Sequence, residues 1–173
     1  MKEKIKIIEQ GQGWICLEKP GGMSVHNDPG RDMISGLQKR LGPGSTEILQ
    51  PVHRLDKETS GLLLVATARD SLAALSNLFA GGKVTKRYKA LVHGHFEQAR
   101  GSWDTPLTKS AGGRADPRYG SPRALEFLKT QKQFNAMGLH ACFLKFRDKG
   151  KTITLELPDL PPEVARLFEE DKA

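Results

Sequence analysis

The sequence predicts an α+β domain: a largely antiparallel mixed sheet flanked by helices. Three observations predict it. Strand-like runs and helical patterns follow one another without the regular alternation that a doubly wound parallel sheet requires. Short apolar runs separated by turn residues pair naturally into hairpins near both ends of the chain. Between them, the unbroken apolar run Leu62 to Ala66 has the length of a strand buried on both faces. At 173 residues the chain is long enough for one domain with a real core, taken here as residues 1–173.

In order along the chain, Ile5 to Ile8 and Trp14 to Leu17 read as a hairpin turned by Gly11 and Gly13. A polar loop from Ser24 to Gly30 precedes Ile34, Leu37 and Leu41, whose spacing predicts a short amphipathic helix ended by Gly42, Pro43 and Gly44. After the run at Leu62, Asp70 or Ser71 is the expected cap of a helix carrying Leu72, Leu75, Leu78 and Phe79, with Gly81 and Gly82 at its exit. Tyr88, Ala90 and Val92 alternate with Lys89, Leu91 and His93 as a strand with two unlike faces would, closed by Gly94. Ser121 and Pro122 resemble a cap and first helical residue ahead of Leu125 and Leu128. Ala141 to Phe146 and Thr152 to Leu157 form a second hairpin about Asp148 to Gly150. Pro161 and Pro162 open a terminal helix with Val164, Leu167 and Phe168 on one side.

Lys and Arg number 27 against 20 Asp and Glu, and the net charge of +7 favours polyanions through steering and counterion release. Charge alone does not establish a nucleic-acid partner. Cys16 and Cys142 stand far apart in apolar runs and read as small buried hydrophobes. With no apolar signal core in the first residues and no run of about 18 apolar residues, no membrane partner is expected and the expected location is cytoplasmic.

The stretch Pro51 to Gly61 crowds polar residues between apolar runs, as a site loop or a solvated turn would. No G-x-S-x-G surrounds Ser60, no Walker lysine follows a glycine loop, and His53 to Asp56 is not the kinase order. Metal ligation is not expected, since His53 and Asp56 lack a second spaced pair and His93 with His95 reads as a surface pair. What remains is Asp56 flanked by Arg54 and Lys57, with Thr59 and Ser60 able to orient it. Neighbouring cations favour the ionised carboxylate, which can serve as nucleophile or base at a sugar carbon beside a phosphate backbone.

His53-Arg54-Leu55-Asp56-Lys57-Glu58-Thr59-Ser60-Gly61 resembles the H-R-L-D-x-x-T-S-G signature of the RluA family of pseudouridine synthases. Lys19 to His26 resembles that family's K-P-x-G-x-x-V-H loop, and Lys86 to Gly94 its K-x-Y-x-A-x-V-x-G strand. Asp116 to Gly120 and Leu139-His140-Ala141 resemble later blocks, so the likeness spans nearly the whole chain. It implies the pseudouridine-synthase fold and isomerisation of uridine in structured RNA, ribosomal or transfer, with no cofactor. It places Asp56 on the essential aspartate, acting at C1′ or C2′, and Tyr88 on the tyrosine that packs against the target base. A place for Tyr88 in the core is the alternative. Arg54 falls on the arginine that fills the stack left by a flipped nucleotide. His53, Thr59 and Ser60 are expected to shape the RNA-binding loop, joined by Lys19, whose own loop also reads as a plain tight turn.

The family's T-G-R-x-H-Q-I-R motif is missing, and with it the arginine that pairs with the aspartate. Ala115-Asp116 reads as a junction across which a segment has been omitted, an expectation that an intact mass of 19.1 kDa would overturn. The alternative from another class is a non-catalytic RNA-binding or ribosome-assembly protein. A glycosidase pairing Asp56 with Glu58 is a weaker one, because a loop leaves their separation open. With no further module ahead of Lys19, a minimal, monomeric synthase is expected.

Overall fold

A computed structural model of the chain describes residues 5–91, 97–102, 138–162 and 164–166. The first hairpin joins β1 (Lys6–Gly11) to β2 (Trp14–Lys19), each longer than its apolar run because the flanking polar residues also pair. Helix α1 (Met33–Leu41) starts where the Asp32 carboxylate accepts the Ser35 amide at 2.7 Å and stops at Gly42. A two-residue strand, β3 (Gln50–Pro51), was not expected. It is too short to show periodicity and contains a proline, which lacks the amide of a central strand. It runs beside β4 (Ser60–Ala66), which is buried along its whole length.

Helix α2 (Arg69–Ala80) differs from expectation at its start. Its cap is Ala68 with no side-chain hydrogen bond; Asp70 sits inside the first turn, and the Ser71 hydroxyl donates to the Gln12 carbonyl at 3.3 Å. An acidic side chain in that turn still complements the helix dipole without capping it. Strand β5 (Thr85–Ala90) begins three residues before Tyr88, and all its residues are exposed, so its alternation does not mark a buried face. β6 (Leu139–Asp148) and β7 (Lys151–Glu156) form the last hairpin. Lys149 and Gly150, with φ of 46° and 82°, supply the two left-handed residues of a tight hairpin turn. The expected elements at Val92 to Gly94, at Ser121 to Leu128 and at Leu167 and Phe168, the histidines 93 and 95, and the 115/116 junction lie outside the described residues.

The described sheet runs β1-β2-β4-β6-β5, with β3 also on β4 and β7 also on β6. Its pairings are antiparallel except β4 with β6, which is parallel at Ser60↔His140 and Gly61↔Ala141. β4 is apolar on both sides because each side meets a helix. Leu62 and Leu64 pack with Trp14, Cys16, Leu144, Phe146 and Leu75 of α2. Leu63 and Val65 pack with Ile15, Leu17, Leu55 and the α1 residues Met33 and Leu37. Both cysteines are free and buried, and burial pushes the Cys16 thiol up to about 12. The Trp14 ring meets Phe146 edge-on at 5.6 Å, and its indole N–H donates to Asp148 at 2.9 Å, tying β2 to the last hairpin. Among the described residues no helix is long and apolar enough to cross a membrane.

Candidate active site

The loop between β3 and β4 carries the candidate carboxylate, and each of its ends is fastened. At the first end, the Val52 amide continues the β3 pairing by donating to the Leu64 carbonyl at 2.9 Å. The Leu64 amide in turn donates to His53 Nε2 at 3.1 Å, while the imidazole stacks on Phe79 of α2 at 4.8 Å between centroids. Burial, then the nearby Lys86 charge, holds the His53 pKa down at about 4, against a smaller opposing effect of a backbone hydrogen bond at Arg54. The ring is therefore neutral at pH 7 and accepts from the backbone.

Leu55 then turns into the core, and Arg54, Asp56, Lys57 and Glu58 stay exposed. The Thr59 amide closes a turn on the Asp56 carbonyl at 3.1 Å. Thr59 and Ser60 are both buried. Ser60 does not orient Asp56: its hydroxyl is 2.9 Å from Nδ1 of buried His140 on β6. The Thr59 hydroxyl has no hydrogen-bond partner among the described residues.

Lys19 differs most from its expected contact with RNA. It is fully buried at the end of β2, and its ammonium donates to the carbonyls of Pro20 (2.9 Å), Met23 (2.6 Å) and Lys57 (2.7 Å). Three carbonyls satisfy its three donors, leaving none for a phosphate. Burial brings its pKa down to about 8, opposed by the charges of Glu58 and Asp56, and it remains an ammonium at neutral pH. Lys19 thus laces the 20–23 loop to the Asp56 loop. The glycines of that loop permit the contact, for a Cβ at Gly21 would lie 3.2 Å from the Glu58 carbonyl.

Tyr88 arrives from β5. Its side chain is not core: the residue is 43% exposed. Partial burial raises its phenol pKa, and the charge of Asp56 raises it further, which puts the carboxylate and the phenol in one electrostatic neighbourhood. The β5–β6 ladder skips Cys142 between the pairs Arg87↔Phe143 and Tyr88↔Ala141, a bulge where the Cys142 thiol lies 3.4 Å from the Arg87 carbonyl. The Arg87 guanidinium stacks 3.7 Å above the Phe143 ring. The charge of Asp56 reaches Tyr88, Arg54 is exposed two residues before Asp56, and the side chains of His53, Lys19 and Ser60 are bonded to backbone or to His140. The sequence put Phe79 on a helix and His140 in a family-like block without giving either a part in the site, and it did not foretell the Cys142 bulge. The signal for His140 was a lone polar residue at the head of an apolar strand. No group of three His, Cys, Asp or Glu among the described residues is placed to hold a metal ion.

Ribosomal large subunit pseudouridine synthase C of Escherichia coli (strain K12) is 39% identical over 106 residues, 60% of this chain and 33% of that protein. Ribosomal large subunit pseudouridine synthase D of Zymomonas mobilis is 34% identical over 118 residues, 64% of this chain and 37% of that protein. The matched part of the chain thus spans about a third of the length of these relatives. Among solved structures, human RNA Pseudouridylate Synthase Domain Containing 1 shares the fold, with a TM-score of 0.65 at 17% identity over 99% of this chain and 96% of that one. The sequence profile of RNA pseudouridylate synthase matches residues 13–157. That span takes in the Lys19 clamp, the Asp56 loop, the Tyr88 strand and the sheet that holds them, and the chain belongs to the RNA pseudouridylate synthase family.

Proposed function

We propose that the chain is an RNA pseudouridine synthase, an isomerase that acts on a uridine of structured RNA. The observation that carries this reading is that Asp56 and Tyr88, both exposed, lie within reach of each other's charge, the carboxylate helping to raise the phenol's pKa. A uracil stacked in a stem hides its glycosidic bond, so the nucleotide must leave the helix, at a cost of a few kcal/mol. Arg54, exposed two residues before Asp56, stacks in the vacated position, a reading its exposure supports. Asp56 acts at the ribose, as nucleophile at C1′ or base at C2′, while the C1′–N1 bond breaks. Tyr88 lies against the detached uracil, which turns and rejoins C1′ through C5. As the C1′–C5 bond forms, C5 gives up its proton, N1 takes one up and Asp56 is released unchanged, so the product is an isomer and no cofactor or metal is consumed.

Names of relatives that refer to the ribosomal large subunit favour ribosomal over transfer RNA as the substrate. A cytoplasmic, monomeric, single-domain enzyme fits that substrate. A non-catalytic RNA-binding protein is the second reading, favoured by the missing arginine motif. Incubating the full-length gene product and its Asp56→Asn form with unmodified ribosomal and transfer RNA transcripts decides between them. Pseudouridine is then mapped by chemical modification and primer extension. Product from the native protein and at least a thousandfold less from Asp56→Asn is expected, on the order of a lost nucleophile or base. Tight RNA binding without product from either would sink the catalytic reading.

A further inference from the structure

Strand β6 lies between the two halves of the candidate site, and its register fixes how they face. Ser60 pairs with His140, which on its other side pairs with Lys89; Gly61 pairs with Ala141, which on its other side pairs with Tyr88. The end of the Asp56 loop and the Tyr88 strand are thus one strand apart on either side of the same two residues. Backbone pairing between β4 and β6 covers only those two positions, so little ladder holds the loop end in place. One side-chain hydrogen bond reinforces it, Ser60 Oγ to His140 Nδ1 at 2.9 Å, with both residues buried. A half-open pocket of about 320 Å³ borders the pair, lined also by Lys89, Leu91, Leu160 and Val164.

We propose that His140 is a positioning residue: through Ser60 it sets the distance between the Asp56 loop and the Tyr88 strand. The inference rests on the pseudouridine synthase reading, and it assigns His140 no contact with substrate. A buried hydroxyl–imidazole bond supplies direction. An error of about 1 Å in such a placement costs up to about a hundredfold in rate.

The test compares His140→Asn, whose amide reaches the position of Nδ1, with His140→Gln, whose amide reaches that of Nε2, and with Ser60→Ala. In single-turnover assays His140→Gln and Ser60→Ala are expected to slow the reaction by about 10- to 100-fold, with RNA affinity held within about twofold and His140→Asn recovering most of the rate. A second readout needs no activity. The chain has two tyrosines, so Tyr119→Phe leaves Tyr88 alone to titrate by ultraviolet absorbance. Its raised phenol midpoint should fall toward the ordinary value in His140→Gln and stay raised in His140→Asn. Equal behaviour of the Asn and Gln variants in both readouts, or a phenol midpoint that no variant moves, would overturn the proposal. If the native protein makes no pseudouridine, the catalytic reading fails, and the phenol titration still decides whether His140 sets the spacing.

Discussion

Single residues here do work that their chemical class does not announce. Lys19 and His53 are polar residues in an RNA-binding loop by sequence, yet one is spent on three carbonyls and the other on a backbone amide and a stacked ring. Local sequence names the residue type but not whether its polar atoms point to solvent or to backbone, and that choice is made by strands that meet only in three dimensions. Asp56 and Arg54 stand out in the sequence by their motif, and both are exposed. The His53 ring carries a consequence for stability. Its folded pKa of about 4 lies below the ordinary 6.5, so the folded chain binds fewer protons in that window. Its contribution is complete above pH 6.5 and is lost as pH falls toward 4, on the order of 3 kcal/mol. Urea midpoints at pH 7 and 4.5 should show that loss in the native chain. His53→Phe should lack this part of it, while being about 1–3 kcal/mol less stable at pH 7, where the Leu64 amide has lost its acceptor.

At the scale of elements, both hairpins, α1 and the buried strand followed from periodicity and turn residues, since each is decided within a few neighbours. The strand β3, the true start of α2 and the bulge at Cys142 did not, because each depends on a partner distant in sequence. The β4–β6 contact is the clearest instance. Gly61 has φ of +114°, and a Cβ there would lie 2.2 Å from the Ala141 carbonyl oxygen. Neither strain is visible from the letters Ser-Gly-Leu. Gly61→Ala should destabilise the fold by more than about 3 kcal/mol, read as a lowered denaturation midpoint, because backbone faces backbone and neither strand can yield. A midpoint within 1 kcal/mol of the native chain would show that the two strands separate freely there.

For the whole molecule, the surplus of seven positive charges says little about which face meets RNA, but the site loop places Arg54 and Lys57 at the surface beside Asp56. Binding to a structured RNA should weaken as salt rises, and Lys57→Ala should make the logarithmic slope shallower by about one ion if that lysine contacts a phosphate. An unchanged slope would put the RNA on another face.

The strand order also bears on when the protein becomes competent during its synthesis. Residues 139–148 lie between strands formed by residues 60–66 and 85–90, so the middle of the sheet is translated after both of its neighbours. A nascent chain that has emerged only through Ala90 already carries Asp56 and Tyr88, but the strand that spaces them is still to come. Contacts of such long sequence separation form late, because the loop between them must close first. The two sides of the candidate site therefore come together only once the last hairpin has cleared the exit tunnel.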